Sequence, residues 1–583
     1  MAGGARVPNH RGSFESPLRN AACICFLTLI AIVVSAQPFS ALARKATVLP
    51  SVTISVSLKG GRVEAEYGVL DDVRQIELFE DDSNYPLVRS ESWRITSRCA
   101  SLANNAIRLS GSGCHPSVLL EEHSPERPRT YPAVIRVGNG VFIFTGYLAV
   151  DPSRFQVTWR AVPPKDGVAV IGDRKSTVSI EVSGRDALTD PRGWIYLGED
   201  RFEEFPEARY IYDPDVPSAI RSTIKTTVAG TVGPLSAGLD HSLASKPTIF
   251  VALRQERGGG GKNFRADVTP GMMLRVGFDG AGWSTPSPPD LQRVRDLVAH
   301  EVAHFWNVAT FRPRDESPAW IHEGGAELLS IVALRSSGAI GDREAIDRID
   351  TGINRCLLLT TLAHENGART DSRFPYDCGL LVTYLISQMY RSGGSRGALG
   401  FWRDFWRLHR TYDDHALRAF LNPHPELSET LNNVLQALAS NDVLALRAIL
   451  RGADVELDST AAAPRGLATD LARSLFSAVM SAHCGATVDF SGDYESITPQ
   501  VSTCGGLEKQ RRISLMAGVN FLKEPQKAAL AIEALCRRGE SFKMAGASDE
   551  GFLIACTSEI AAAALASVRI ARVDRHLALA TLR

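Results

Sequence analysis

Residues 297–329 read LVAHEVAHFWNVATFRPRDESPAWIHEGGAELL. His300 and His304 stand four apart, and positions i and i+4 of an α-helix share one face, so both imidazoles can aim at one point. Glu323 follows His304 by nineteen residues, inside WIHEGG. The turn-forming stretch FRPRDESP between them lets a second helix fold back. Zinc takes nitrogen and carboxylate donors tetrahedrally, and a hydrolytic site leaves one of the four positions to water. On this reading His300, His304 and Glu323 are the ligands of one zinc ion. Glu301, beside a ligand but rotated off it, faces the water and accepts its proton. With 13 histidines in the chain, an H-E-x-x-H string arises by chance in roughly one or two per hundred such chains. The second acid at this distance separates a metal centre from two ordinary amphipathic helices. Glu327, one turn beyond Glu323, is a rival third ligand.

The flanks of this stretch carry helix signals. Pro288, Pro289 and Asp290 precede apolar residues at helical spacing (Leu291, Val294, Leu297, Val298, Val302), and Ser317 with Pro318 can open the second helix. Asn307 and Asp315 are candidates to orient the ligands from behind, and His322 is another. His364–Asn366, a second His-Glu pair, has no further histidine at metal spacing and reads as loop.

At 583 residues the chain is long for one core, so several domains are expected. Lys and Arg number 64 against 65 Asp and Glu, which leaves no basic field for a nucleic acid. Arg6, Arg11 and Arg19 precede the apolar run Ala21–Ala36, and Ala41 and Ala43 sit as small residues before a cleavage point. This is a secretory signal pattern over 1–43. The run is short for a membrane span, which needs about 20 residues, so membrane contact is expected only if it stays uncleaved. Removing 1–43 takes away three arginines and one glutamate, moving the formal charge from −1 to −3. Eight cysteines remain, in local couples: Cys99 and Cys114, Cys356 and Cys378, Cys484 and Cys504, Cys536 and Cys556. An even count in local pairs behind a signal reads as structural disulfides in an oxidising compartment, periplasmic or extracellular. Spacing alone leaves the connectivity open.

From 44 to 195 the pattern is β. VTISVSLKGGRVEAEYGV alternates around Gly60-Gly61, and AVIRVGNGVFIFTGYLAV around Asn139-Gly140. Beyond 196, VPSAIRSTIKTTVAGTV reads as helix, KPTIFVALRQE and GMMLRVGFDG as strands, and RGGGGKNF as a loop between them. Residues from Tyr376 to about 455 are mostly helical, and 461–583 mix helix and strand.

HEVAHFWN…WIHEGGAE resembles the gluzincin peptidases of the aminopeptidase N and leukotriene-hydrolase type, and the HFWN with its following Arg-Pro is similar to glycyl aminopeptidases. The specific match covers about 80 residues. The resemblance implies a multidomain α+β fold: an N-terminal β domain (44–195), a thermolysin-like zinc-peptidase domain with a helical extension (196–460), and a small C-terminal α+β domain (461–583). It implies one zinc ion on His300, His304 and Glu323, Glu301 as general base, and a peptide or protein substrate. RFPYDCGLLVTYLI is similar to the family's P-Y-x-x-G-x-x-L segment, which makes Tyr376 the oxyanion donor. If Cys356 and Cys378 pair, the bridge pins the backbone that presents it. One departure bears on specificity. The family's G-x-M-E-N segment, whose acid holds a free amine, has no counterpart around Met272 and Met273. Asp279 is left to substitute for that acid, or the glycine loop 258–261 to shape the cleft. Residues 505–560 faintly resemble a PDZ-like module. The competing reading is a non-catalytic, zinc-stabilised peptide-binding or envelope protein.

Overall fold

The computed structural model describes residues 49–582 except 70–72, 81–84, 112, 122–130, 184–192, 256–261, 270, 315, 367–372, 393–396, 459–462, 465, 486–489, 493–495, 500–511 and 547–550. The signal segment, the glycine loop 258–261, Asp315 and Cys504 lie outside the described residues. Among the described residues no helix is long and apolar enough to cross a membrane.

The N-terminal part is two packed sheets. The first runs in the order Ile180–Ser183, Gln156–Ala161, Ser51–Lys59, Arg62–Val69, Ser117–Leu120, Trp93–Ile95. Gly60 and Gly61 both have positive φ, 58° and 78°, as a two-residue hairpin turn with right-handed strand twist requires. The second sheet runs Arg174–Ser176, Val168–Ile171, Trp194–Gly198, Gly140–Phe144, Val134–Val137. Its hairpin turns at Gly138-Asn139, because Val137 pairs with Gly140; the turn sits one residue earlier than the sequence suggested. Val52, Ile54 and Val56 of one sheet and Val141, Ile143 and Ile195 of the other are all buried in one core.

A third sheet carries the site. Arg209–Tyr212, Thr248–Arg254 and Met273–Asp279 are parallel, and Asn263–Thr269 closes the edge antiparallel. The edge strand occupies part of the stretch read as loop. TIFVALR is apolar without alternation because both its faces are covered. Phe250 and Ala252 join the sandwich core, with Phe250 stacked on Phe142 at 3.5 Å between centroids. Ile249, Val251 and Leu253 face the helices. Those helices include Ser218–Gly238, Pro288–His304, Ala319–Ser336, Asp342–Asn366 and Phe374–Ser392. His364–Asn366 close the fourth of these and are not loop.

Residues 468–567 build a separate core around Phe476, Met480, Phe521 and Met544. The chain then returns: Ile570–Val573 pairs antiparallel with Val455–Asp458. The helix Asp342–Asn366 holds the returning strand. The Asn354 side chain exchanges two hydrogen bonds with the Ala571 backbone (2.8 and 2.9 Å), and Asp350 accepts from the Val573 N–H at 2.9 Å. Between described residues three disulfides are formed, Cys99–Cys114, Cys356–Cys378 and Cys536–Cys556. Cys484 is also disulfide-bonded, to a partner outside the described residues.

Burial pushes the Asp350 carboxyl up to about 7, against the Val573 N–H and Arg572, which pull it down. A carboxyl raised on folding contributes stability that is complete below its unfolded pKa and lost as pH rises through the folded one. Urea denaturation of the wild type should therefore show stability falling between about pH 4 and pH 7, and Asp350→Asn should remove that component.

Candidate metal centre

The helix Pro288–His304 starts where Asp290 accepts from the Ser287 N–H (2.8 Å) and hydroxyl (2.6 Å) and from Lys262 (2.5 Å). Its last two turns bring His300 and His304 into the interior, both buried, with ring centroids 4.7 Å apart and planes nearly perpendicular. The helix then widens: the Phe311 N–H donates to Trp306 O, five residues back, at 2.7 Å. Such a wide turn inserts one residue and re-aims those that follow. Here it sets fully buried Asn307 against His304.

The second helix, Ala319–Ser336, opens at Pro318; the Ser317 hydroxyl makes no cap bond. Glu323 lies in its second turn. Its Oε2 stands 3.2 Å from His300 Nε2 and 3.3 Å from His304 Nε2, and the two Nε2 atoms are 3.1 Å apart. Donors about 2.0–2.1 Å from a tetrahedral zinc ion stand about 3.3–3.4 Å from one another. The triangle has the size for one such ion.

Proton placement supports the same fit. Asn307 Nδ2 donates to the His322 carbonyl at 2.6 Å, so its Oδ1 is the atom left to face His304 Nδ1 at 2.8 Å. An acceptor there fixes the proton on Nδ1 and leaves the Nε2 lone pair in the site. On the other ring, Glu327 Oε1 stands 3.4 Å from His300 Nδ1. Glu327 therefore backs His300 from the far side and is not in the cluster of His300, His304 and Glu323. Burial disfavours a charged His300, yet Glu327 and Glu323 outweigh it and hold its pKa up at about 10. The surrounding carboxylates thus call for positive charge at this point. The residues fit a divalent cation.

Glu301 is buried beside the triad, and burial lifts its carboxyl to about 7. His322 has its ring half-buried with Nε2 3.6 Å from Glu323 Oε1, and burial pushes it down to about 4, so it is neutral. Tyr376, at the start of Phe374–Ser392, places its ring 5.5 Å from that of His300. Burial and the fields of Glu323 and Glu301 raise its pKa, which keeps the hydroxyl a donor. The Cys356–Cys378 bridge sits two residues beyond it.

Glycines set the spacing of these helices. A Cβ on Gly324 would lie 2.0 Å from the Gly379 carbonyl carbon, and one on Gly379 would lie 2.6 Å from Trp320 O. A Cβ on Gly325 would meet the Trp402 ring at 2.9 Å. The Glu323 and Tyr376 helices thus touch backbone to backbone. Sequence reasoning missed Tyr412, whose hydroxyl donates to the Asn307 carbonyl from 105 residues away with no local signal.

Asp279 is already in an ion pair. Arg254 grips it at 2.7 and 2.9 Å. Asp267, on the edge strand, is likewise gripped by Arg275 at 2.5 and 2.6 Å.

No family profile and no curated protein matches the sequence. A solved structure does: an aminopeptidase N family protein from Idiomarina loihiensis, over 92% of this chain and 100% of its own, at TM-score 0.58 and 13% identity. An M1 zinc metallopeptidase from Deinococcus radiodurans matches 66% of this chain and 92% of its own, at TM-score 0.39 and 14% identity. The chain therefore has the α+β fold of an aminopeptidase N family protein.

Asn307→Ala should leave the fold intact and weaken zinc binding by about 10–100-fold, measured by chelator competition. Gly379→Ala should cost about 1–3 kcal/mol in urea denaturation, because neither helix backbone can yield.

Proposed function

We propose that this protein is an exported zinc metallopeptidase that hydrolyses peptide bonds. The observation that carries the reading is the triangle of two imidazole nitrogens and one carboxylate, with a buried glutamate beside it and a tyrosine ring against it. His300, His304 and Glu323 hold the metal. A bound zinc ion supplies Lewis acidity and lowers the pKa of a water ligand to about 7. Glu301 takes the proton of the attacking water and returns it to the departing amine. The Tyr376 hydroxyl donates to the carbonyl oxygen as negative charge gathers on it. Asn307 and Glu327 keep the two rings in the ligating tautomer. The fold likeness to a protein of the aminopeptidase N family supports this reading. The three disulfides support an oxidising compartment, with 1–43 as the cleaved leader.

The Idiomarina protein's family name speaks of aminopeptidases. In this chain both acids of the strands Asn263–Thr269 and Met273–Asp279 are neutralised by arginines. We therefore read the enzyme as a peptidase without a strict need for a free amine.

Glu301→Gln should lower kcat by about a hundred- to ten-thousand-fold while zinc content stays at one per chain. Tyr376→Phe should lower it by about 10²–10³-fold with substrate affinity little changed. Peptides with free and acetylated N-termini should be cleaved at similar rates. Equal inertness of wild type and Glu301→Gln toward a broad peptide library, both holding zinc, would replace catalysis with binding.

A further inference from the structure

A second feature lies away from the histidine pair. A half-open cavity of about 470 Å³ is enclosed by the helices Asp342–Asn366, Val443–Gly452, Ala468–Cys484 and Ser558–Ser567. That is within the range of about 300–1,000 Å³ usual for small-molecule sites. Leu357, Leu358, Val443, Ala478, Ala482 and Ala563 supply its apolar wall.

Several of the polar groups around it are already engaged. Asn354 is bonded to Ala571, Thr361 Oγ1 donates to the Leu357 carbonyl at 2.8 Å, and Ser567 Oγ donates to the Ala564 carbonyl at 2.8 Å. Arg447 Nε and Ser481 Oγ are different. Both atoms are buried, and neither has a hydrogen-bond partner among the described residues. Arg447 reaches the Ala566 carbonyl at 3.4 Å through Nη2. Arg569 opens onto the same cavity from its exposed side, as does one carboxylate, Glu559. Among the described residues no ion pair joins Glu559 to either guanidinium. Burial and the neighbouring charges of Arg569 and Arg451 disfavour the Arg447 cation. A buried guanidinium N–H without an acceptor is costly, and an anion inside the cavity would relieve it.

We propose that this cavity binds a monocarboxylate with an aliphatic body, its head taken by Arg447 and Ser481 with Arg569 on the open side, and its chain against Leu357, Leu358 and Ala478. The walls are helices, whose backbone groups bond within themselves. A peptide laid here would bury N–H and C=O groups with few partners, whereas an alkyl chain asks for none. One charged end and an apolar remainder match what the cavity leaves unsatisfied.

The test is calorimetric titration of the full chain with decanoate, decanol and a short apolar peptide bearing a free carboxylate, each below its aggregation concentration. Decanoate should bind once per chain, at least about tenfold more tightly than decanol. Arg447→Gln should weaken decanoate about tenfold or more, erase the difference from decanol, and leave the urea midpoint unchanged or raised. Ala478→Leu, which fills the apolar end, should weaken decanoate and decanol alike. If Arg447→Gln does not fold, the exposed Arg569→Gln decides, with about a threefold or larger loss for decanoate and none for decanol expected. The proposal is overturned by absent decanoate binding, by equal affinity for decanol, by a folded arginine variant that binds decanoate like wild type, or by the peptide binding where decanoate does not.

Discussion

At Gly324 and Gly379 two helices meet with no side chain between them, and the spacing of the proposed metal centre depends on that contact. A Cβ on Gly324 would come within 2.0–2.4 Å of Gly379 backbone atoms. One residue before Gly324 is Glu323, and three before Gly379 is Tyr376. Close approach of the two backbones thus fixes, in one contact, how near the proposed third ligand stands to the tyrosine ring. The Thr383 hydroxyl, donating to the Gly379 carbonyl at 2.9 Å and lying 3.1 Å from that of Gly324, locks the same junction. Gly325 performs a parallel service on the other side, letting Trp402 and Asn307 pack against the Glu323 helix. The glycine pair after the glutamate is therefore a packing requirement of the site.

The electrostatic arrangement follows from this closeness. Three acceptor atoms within 3.1–3.3 Å of each other repel unless a proton or a cation lies among them. Asn307 Oδ1 draws the His304 proton to the outer nitrogen, and Glu327 Oε1 stands 3.4 Å from the outer nitrogen of His300. Glu323 and Glu327 place negative charge against both nitrogens of the His300 ring. The same helix pair that brings the donors together also buries both histidines, which strengthens these interactions.

The H-E-x-x-H pentapeptide and its distant acid were legible because helical periodicity alone places His300, His304 and Glu301. Glu323 was legible from spacing. What Glu327 does was not, since spacing cannot say which side of an imidazole a carboxylate faces. The wide turn after His304 leaves no mark in FWNVAT, yet it aims Asn307. Tyr376 came from resemblance, and Tyr412 had no signal at all. In the fold, TIFVALR announced itself as an unbroken apolar run. NFRADVT did not, because an edge strand with one half-exposed face carries Arg265 and Asp267 and so resembles loop. The neutralisation of Asp279 was equally hidden: its partner Arg254 lies across a parallel strand pair, a tertiary fact.

The helix Asp342–Asn366 shows why the end of the chain matters to its middle. Successive helical residues point about 100° apart. Asn354 therefore grips the returning strand through Ala571, while Cys356 turns to Cys378, beside Tyr376, and Leu357 turns to the cavity. Three neighbouring positions on one rod serve three different elements. The strand Ile570–Val573 is short and would be a weak edge by itself. Gripped by Asp350 and Asn354, it becomes a brace for the helix whose disulfide pins the backbone two residues after Tyr376. A chain shortened before residue 570 would keep every proposed metal ligand and lose the support behind Tyr376, so the C-terminal return is part of the structure that the site requires.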